Sequence, residues 1–334
     1  MISTRSKVLA LLEANKGIAI SGAAMAKALS ISRSAVWKSI EELRKEGYDI
    51  LAVTNKGYTL SEESDILSAE GLMTFLKNPL ITADRLHVYK SIDSTNNAAK
   101  KMAVAGAGHG TVVLAEEQTA GRGRLGRSFF SPRGTGLYMS IILRPKSTAE
   151  DAVLTTTAAA VAVCRAVSKV LGIEASIKWV NDIYVDGFKV CGILTEALSD
   201  FQTGAVEALI LGIGLNIATN RDSFPEEISK TAGSLLKNPD RVERNRLAAA
   251  ILNEFMDLND TFDRGAMLDE YKARSFILGE PITVYRGSEV FDATALDIDD
   301  KGRLIVMREN GAKEILLSGE VTTRPQKVFK EQSK

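Results

Sequence analysis

Residues 121–136 read Gly121-Arg122-Gly123-Arg124-Leu125-Gly126-Arg127-Ser128-Phe129-Phe130-Ser131-Pro132-Arg133-Gly134-Thr135-Gly136. The first six positions match G-x-G-x-x-G, the dinucleotide-binding fingerprint. In that fold the loop opens directly into a helix, and an acidic residue ~20 positions on holds the ribose. Here two phenylalanines lead into Ser-Pro-Arg-Gly, which does not start a helix. The match is a decoy, and the doubly wound dinucleotide fold is set aside. What remains is a flexible glycine-rich loop carrying Arg122, Arg124 and Arg127 between two apolar strands. Glycines admit close approach to a ligand, and forked guanidiniums neutralise phosphates or carboxylates. A solvated basic loop is the bland alternative, and a phosphate-bearing substrate is the stronger inference.

Two further segments point the same way. Lys178-Trp179-Val180-Asn181-Asp182 is followed by a turn at Asp186-Gly187 and then by Phe188-Lys189-Val190-Cys191-Gly192-Ile193-Leu194-Thr195-Glu196. A lysine turned inward from such strands must meet an anion, because an unpaired buried ammonium is costly. Taken singly, each lysine is an ordinary strand-face charge; flanking Asn-Asp beside an arginine loop, the pair suggests a site. Leu211-Gly212-Ile213-Gly214-Leu215-Asn216-Ile217 is a strand whose glycines let a ligand or another backbone pass closely. Two cysteines, Cys164 and Cys191, and two distant histidines, His87 and His109, exclude a disulfide framework and argue against a His- or Cys-based metal centre.

Upstream, residues 1–60 hold nine cationic against five acidic side chains. Residues 3–14 read as a helix, a second helix starts at Ser21, and Ser32 caps a third that carries Val36, Ile40 and Leu43 and is closed by Gly47. Two strand-like runs, 49–53 and 58–60, joined by Thr54-Asn55-Lys56-Gly57, read as a hairpin. Three helices and a hairpin in this order form a winged helix-turn-helix. Its third helix presents Ser32, Arg33, Ser34, Trp37 and Lys38 to base edges, with Asn55 and Lys56 at the hairpin tip near phosphates. A small helical interaction module is the alternative.

Downstream, residues 61–68 form a polar, acidic linker, and residues 69–270 alternate strand and helix. Strands are expected at 112–115, 137–143, 176–179, 182–185, 190–196 and 208–217, with long helices at 149–171 and 245–264. Four short runs, 281–285, 289–296, 303–308 and 313–323, suggest a small β-barrel. The 334 residues, 45% hydrophobic and 25% charged, with 42 cations balancing 42 acids, fit a soluble chain of two or three domains and exclude a bulk polycation. No apolar run of membrane-spanning length and no signal-peptide pattern in residues 1–10 is evident, so a cytoplasmic protein with no membrane partner is expected.

These motifs together resemble the biotin–protein ligases of the bifunctional kind that also repress the biotin operon. The resemblance covers nearly the whole chain. It rests on Ser94-Thr95-Asn96, on Gln118-Thr119-Ala120-Gly121-Arg122-Gly123-Arg124, on Lys178-Trp179 with Asn181-Asp182, on Lys189 with Gly192-Ile193-Leu194, and on Gly212-Ile213-Gly214-Leu215-Asn216. It implies an α+β multidomain fold. A winged helix-turn-helix occupies residues 1–64, a mixed α/β ligase domain of class II aminoacyl-tRNA-synthetase type residues 65–274, and an SH3-like β-barrel residues 275–334. By the same resemblance Ser94, Thr95, Asn96 and Gln118 line the biotin pocket, and Arg122, Gly123 and Arg124 fold over biotin and adenylate. Lys189, beside Gly192, contacts the biotin carboxylate and α-phosphate. Asn181 and Asp182 lie on the nucleotide and Mg²⁺ side, Asn216 near the adenosine, and Arg324 reaches toward the nucleotide. The chain departs from the family at Val180, usually proline, and at Phe129, usually tryptophan.

The implied reaction forms biotinyl-5′-AMP from biotin and MgATP, then passes biotin to a lysine of a biotin carboxyl carrier protein. Arg122, Arg124 and Lys189, with Mg²⁺ arriving on ATP, would cancel the repulsion between carboxylate and phosphate. The implied partners are that carrier, operator DNA, and a second copy of the chain in the adenylate-bound state. A biotin-sensing regulator without turnover, a ligase whose front module serves only protein contacts, and a lipoate ligase are the competing readings.

Overall fold

The structure is a computed structural model that describes residues 3–144, 151–199, 205–237, 242–260, 263–317 and 320–323. The front module contains helices α1 (Thr4–Ala14), α2 (Gly22–Leu29) and α3 (Arg33–Lys45) and strands β1 (Ile50–Val53) and β2 (Gly57–Leu60). Each helix begins where the sequence places a serine: Ser3, Ser21 and Ser32 accept from the backbone N–H three residues on. Gly57, at φ +114°, lets the hairpin start its return strand, and a Cβ there would meet the Ile20 carbonyl at 2.2 Å. Val8, Leu12, Met25, Val36, Ile40, Leu43 and Leu60 close a core of their own.

The central region comprises α4 (Ala69–Met73), β3 (Leu86–Tyr89), α5 (Thr95–Val104), β4 (Thr111–Ala115), β5 (Gly136–Leu143), α6 (Asp151–Leu171), β6 (Ser176–Lys178), β7 (Asp182–Val185), β8 (Phe188–Ser199), β9 (Val206–Asn216), α7 (Glu226–Ser229), α8 (Arg244–Asp260) and α9 (Arg264–Arg274). Among the described residues the sheet has seven strands in the order β3-β4-β5-β9-β8-β7-β6, antiparallel except for the β3–β4 pair.

Strand alternation divides this sheet into two faces of different chemistry. Leu137, Met139, Ile141, Cys191, Ile193, Leu209, Leu211, Ile213 and Leu215 join one large core with α6 and α8. The intervening positions, among them Tyr138, Ser140, Gly192, Leu194, Glu196, Gly212, Gly214 and Asn216, turn to the other side, where α5 covers part of the sheet. Small and polar residues on that side leave room for a cavity.

The C-terminal strands β10 (Pro281–Arg286), β11 (Glu289–Ile298), β12 (Leu304–Arg308), β13 (Lys313–Leu316) and β14 (Glu320–Thr323) form one antiparallel sheet in the order β13-β12-β11-β10-β14. Its inward residues Ile282, Val284, Ala295 and Val306 belong to the same core as the central sheet, and the Trp179 indole donates to the Gly302 carbonyl at 2.9 Å.

Several expectations are corrected. The C-terminal sheet is not a closed barrel among the described residues: β13 and β14, expected as one strand, are opposite edges that do not pair. The helix expected over 245–264 ends at Asp260, and a separate α9, capped by the Asp263 carboxylate on Ala266 N–H, follows it. Strand β3 and helix α5 come in addition to the expected elements. An apolar helix of membrane-spanning length does exist, Ala152–Leu171, and 67% of its apolar window is buried inside the fold, as a core helix is.

Candidate active site

A cavity of about 310 Å³ opens on the small-residue side of the central sheet. Twelve of the predicted small-molecule site residues line it: Ser94, Thr95, Asn96, Gln118, Arg122, Gly123, Arg124, Asn181, Asp182, Lys189, Gly192 and Asn216. Arg324 lies outside the described residues.

The cavity floor is built by glycines set opposite one another. Register pairs Asp182 with Gly192, Gly192 with Gly214, and Gly214 with Tyr138 across four strands. The Phe129 ring lies against this row: a Cβ on Gly214 would stand 2.6 Å from it, and one on Gly192 3.3 Å. Phe129 also meets Tyr138 edge to face, with centroids 6.4 Å apart. One row along, a Cβ on Gly212 would stand 2.2 Å from Asn96 Oδ1. The glycines thus admit the chain's own Phe129 and Asn96 close to the sheet.

At one end, Ser94, Thr95 and Asn96 begin α5 and are all buried. Gln118 Oε1 accepts from Thr95 N–H at 2.8 Å and from its hydroxyl at 3.1 Å, and Gln118 Nε2 donates to Ser131 Oγ at 2.9 Å. Ser140 Oγ donates to Asn96 Oδ1 at 2.6 Å. Ser140 was missed in the sequence because its role depends on a neighbour 44 residues away.

The arginine loop is a tight turn rather than an open excursion. Gly123 N–H donates to the Arg127 carbonyl at 2.7 Å, Arg127 N–H to the Arg124 carbonyl at 3.1 Å, and Leu125 takes φ +53°. Arg124 donates to Asn181 Oδ1 at 2.9 Å, and Asn181 Nδ2 donates to the Ile193 carbonyl. Lys189 Nζ sits 2.6 Å from Asp182 Oδ1, and its backbone is held by Thr231 and Gly233.

At the other end, Phe224, Ile228, Thr231 and Ala232 form a wall that the sequence did not single out. The Phe130 and Phe224 rings pack edge to face at 5.9 Å, joining this wall to the arginine loop. Asn216 Nδ2 donates to the Gly233 carbonyl at 3.1 Å, which leaves the buried Asn216 Oδ1 without a partner among the described residues. Such an acceptor is expected to be met by a ligand donor. Among the described lining side chains, Arg122, Arg124, Arg127, Lys178 and Lys189 face one carboxylate, Asp182. A cavity with that excess of cations takes an anionic ligand.

Comparison with known proteins gives the chain a family. Residues 88–216 match the biotin/lipoate A/B protein ligase family, residues 4–59 an HTH domain, and residues 277–324 the biotin protein ligase C-terminal domain. The bifunctional ligase/repressor BirA of Bacillus spizizenii is 37% identical over 300 residues, covering 89% of this chain and 91% of that protein. The chain belongs to the biotin–protein ligase family, in its bifunctional ligase/repressor branch. BirA of Escherichia coli is 29% identical over 95% of this chain and 96% of its own length. The Aquifex aeolicus biotin protein ligase, solved with biotin and ATP, superposes with a TM-score of 0.60 at 29% identity, covering 72% of this chain and 98% of that one.

Within this ligase framework the two departures from the family pattern have clear places. Phe129 is the aromatic plane on the glycine floor, and Val180 follows a cis peptide after Trp179, its carbonyl accepting from the buried Tyr271 hydroxyl at 3.0 Å.

The expected DNA-contacting residues lie in the front module, and none of them lines the cavity. Arg33, Ser34, Trp37 and Lys38 are exposed on α3, Trp37 at 56%. Ser32, also exposed, caps that helix. Asn55 and Lys56 are exposed at the hairpin tip.

Proposed function

We propose that this chain joins biotin to a lysine of a biotin carboxyl carrier protein at the expense of ATP, and represses transcription through its front module. The observation that carries the catalytic half is the cation-rich cavity with, at one end, the Asn216 acceptor that has no partner among the described residues and, at the other, the Ser94-Thr95-Asn96-Gln118 network. One end suits a neutral polar ring, the other a nucleoside, and the cations stand between.

In the first half-reaction the biotin carboxylate attacks the α-phosphorus of MgATP and pyrophosphate leaves. Both reactants are anionic, so the protein's task is to hold them together and cancel charge as it shifts to the leaving group. Lys189 and Arg124 carry that role in our reading, with Arg122 closing the loop. Lys189 exchanges its ion pair with Asp182 for one with the reacting anions, and Asp182 would then hold the Mg²⁺ brought by ATP, which would offset phosphate charge. In the second half-reaction the carrier's ε-amine attacks the mixed anhydride carbonyl and AMP departs. The arginine loop and the Phe130–Phe224 contact shield the anhydride from water.

The regulatory half rests on the exposed face of α3 and the hairpin tip. Residues 1–64, 65–274 and 275–334 are taken as the functional units. Bound adenylate favours a homodimer, and two winged helices then occupy a two-half-site operator. In this reading the chain works in the cytoplasm, where ATP and operator DNA are at hand.

The deciding experiment incubates the protein with biotin, α-labelled MgATP and a biotin carboxyl carrier domain, with lipoate as the control. Biotin-dependent labelled adenylate and a carrier heavier by one biotinyl group are expected. Biotin binding without adenylate would leave a sensor-regulator. Gel shifts on a biotin-operon promoter are expected to tighten with biotin and ATP; sequence-blind binding, equal with and without ligand, would refute the repressor role.

A further inference from the structure

Glu196 takes no part in the chemistry described above, yet it touches both α5 and the arginine loop, which shape the biotin end of the cavity. It projects from the site side of β8, with its side chain 18% exposed. Its Oε2 accepts from Asn96 Nδ2 at 2.8 Å, its Oε1 accepts from Lys100 Nζ at 2.6 Å, and Arg122 Nη2 lies 3.5 Å from Oε1. The arginine loop is therefore moored on both flanks: Arg124 to Asn181, and Arg122 to Glu196 and to Asn97 Oδ1 at 2.9 Å.

Asn96 has two ends that must not be interchanged. Its Oδ1 accepts the Ser140 hydroxyl and stands over Gly212, so its amide nitrogen faces Glu196. A carboxylate accepts only, and so it selects this orientation of the amide over the flipped one. Burial alone would raise the Glu196 carboxyl, but the Lys100 and Asn96 hydrogen bonds and the charges of Lys100 and Arg122 outweigh it and hold the group below the usual glutamate range. It is charged at neutral pH.

We propose that Glu196 is a positioning residue that pre-organises this end of the cavity by fixing the Asn96 amide and tethering the arginine loop through Arg122. Arg122 is 44% exposed and Glu196 18%, so the tether pre-orders the loop that meets the ligand, and losing it weakens binding by adding an ordering cost. The inference rests on the ligase reading for what enters the cavity, and on the hydrogen bonds and the Arg122 ion pair for what Glu196 holds.

The test is E196Q, which keeps the side-chain length and leaves an amide oxygen to accept from Asn96. Amide hydrogen exchange over residues 119–128 is measured in the ligand-free protein, together with the biotin KM and kcat for adenylate formation. Faster exchange in that segment is expected, with a biotin KM raised about three- to tenfold and kcat within about twofold of wild type, the signature of weakened binding rather than lost chemistry. The effect of E196Q on KM should shrink in an R122A background, since the two substitutions cut one tether. Exchange over 119–128 equal to wild type overturns the assignment whatever the activity. Absence of adenylate from the wild-type protein would instead refute the ligase reading, and the exchange comparison would still decide the role of Glu196.

Discussion

Arg244 and Glu116 meet at 2.6 Å inside the protein, and between them they clasp the segment that joins the front module to the central sheet. The guanidinium, 4% exposed, also donates to Asp65 Oδ2 at 2.6 Å, and Glu116 Oε1 accepts from Leu67 N–H at 2.8 Å. Glu116 stands two residues before Gln118, so the linker and the expected biotin pocket share one strand end. Removing one partner of a buried pair leaves uncompensated charge. Arg244→Ala is therefore expected to cost about 3–5 kcal/mol of stability, with a lowered denaturant midpoint as the readout. A loss under about 1 kcal/mol would show that water reaches these carboxylates, as at a surface pair.

Glu13 gives the front module a pH dependence. It is 8% exposed on α1, and burial raises its carboxyl from an ordinary 4.5 to about 7, helped by Glu70 of α4 and Asp65 of the linker and opposed by Lys16. A carboxyl whose folded value is raised favours the protonated fold. The stabilisation is complete below about pH 4.5 and is lost as pH rises through about 7. Glu13→Gln should remove that slope, and at pH 8 the variant should be more stable than wild type by up to about 3 kcal/mol. Thermal unfolding at pH 5 and pH 8 reads the difference; parallel slopes in both proteins would contradict the assignment.

Much of this architecture is legible in the chain because it is local. Serine caps, the 3.6-residue spacing of Val36, Ile40 and Leu43, and the hairpin turn after Thr54 each depend on neighbours a few residues away. Glycines at alternate positions 212 and 214 likewise mark one face of a strand. What stays hidden depends on distant partners. Glu196 reads as one more strand charge until Asn96 and Lys100 arrive from α5. Phe224 reads as a loop aromatic until Phe130 meets it. The break at Asp263, which caps α9, falls inside the run that reads as one helix.

Gly214→Ala tests the floor of the cavity. The added methyl would stand 2.6 Å from the Phe129 ring, which must move. Overpacking of this kind costs about 1–3 kcal/mol, and biotin affinity should fall about ten- to hundredfold as the aromatic plane shifts. Adding Phe129→Leu should return part of the stability, because the smaller side chain yields the space. Calorimetric titration with biotin and thermal unfolding measure both effects.

Lys189→Ala separates binding from chemistry. The ammonium is paired with Asp182 at 2.6 Å and lies among cavity-lining cations. If it stabilises charge as the α-phosphate is attacked, single-turnover adenylate formation should slow about 10²–10³-fold. Biotin binding, carried largely by the Ser94–Gln118 end, should change far less. A biotin affinity that falls as steeply as the rate would make Lys189 a ground-state contact instead.

Arg33→Ala and Lys38→Ala address the other half of the molecule. Both side chains are exposed on α3, near Trp37 in sequence, and neither lines the cavity. A lysine or arginine on a phosphate releases counter-ions, so removing one should lower the slope of log K against log salt by about 1 and weaken all sequences alike. A side chain on a base edge behaves differently: its loss costs about 1–3 kcal/mol and relaxes preference at one position only. Gel shifts with operator variants at several salt concentrations distinguish the two roles for each residue. Carrier biotinylation should be unchanged in both variants, since neither side chain belongs to the cavity. A front module used only for protein contacts would leave every one of these DNA measurements where the wild type puts it.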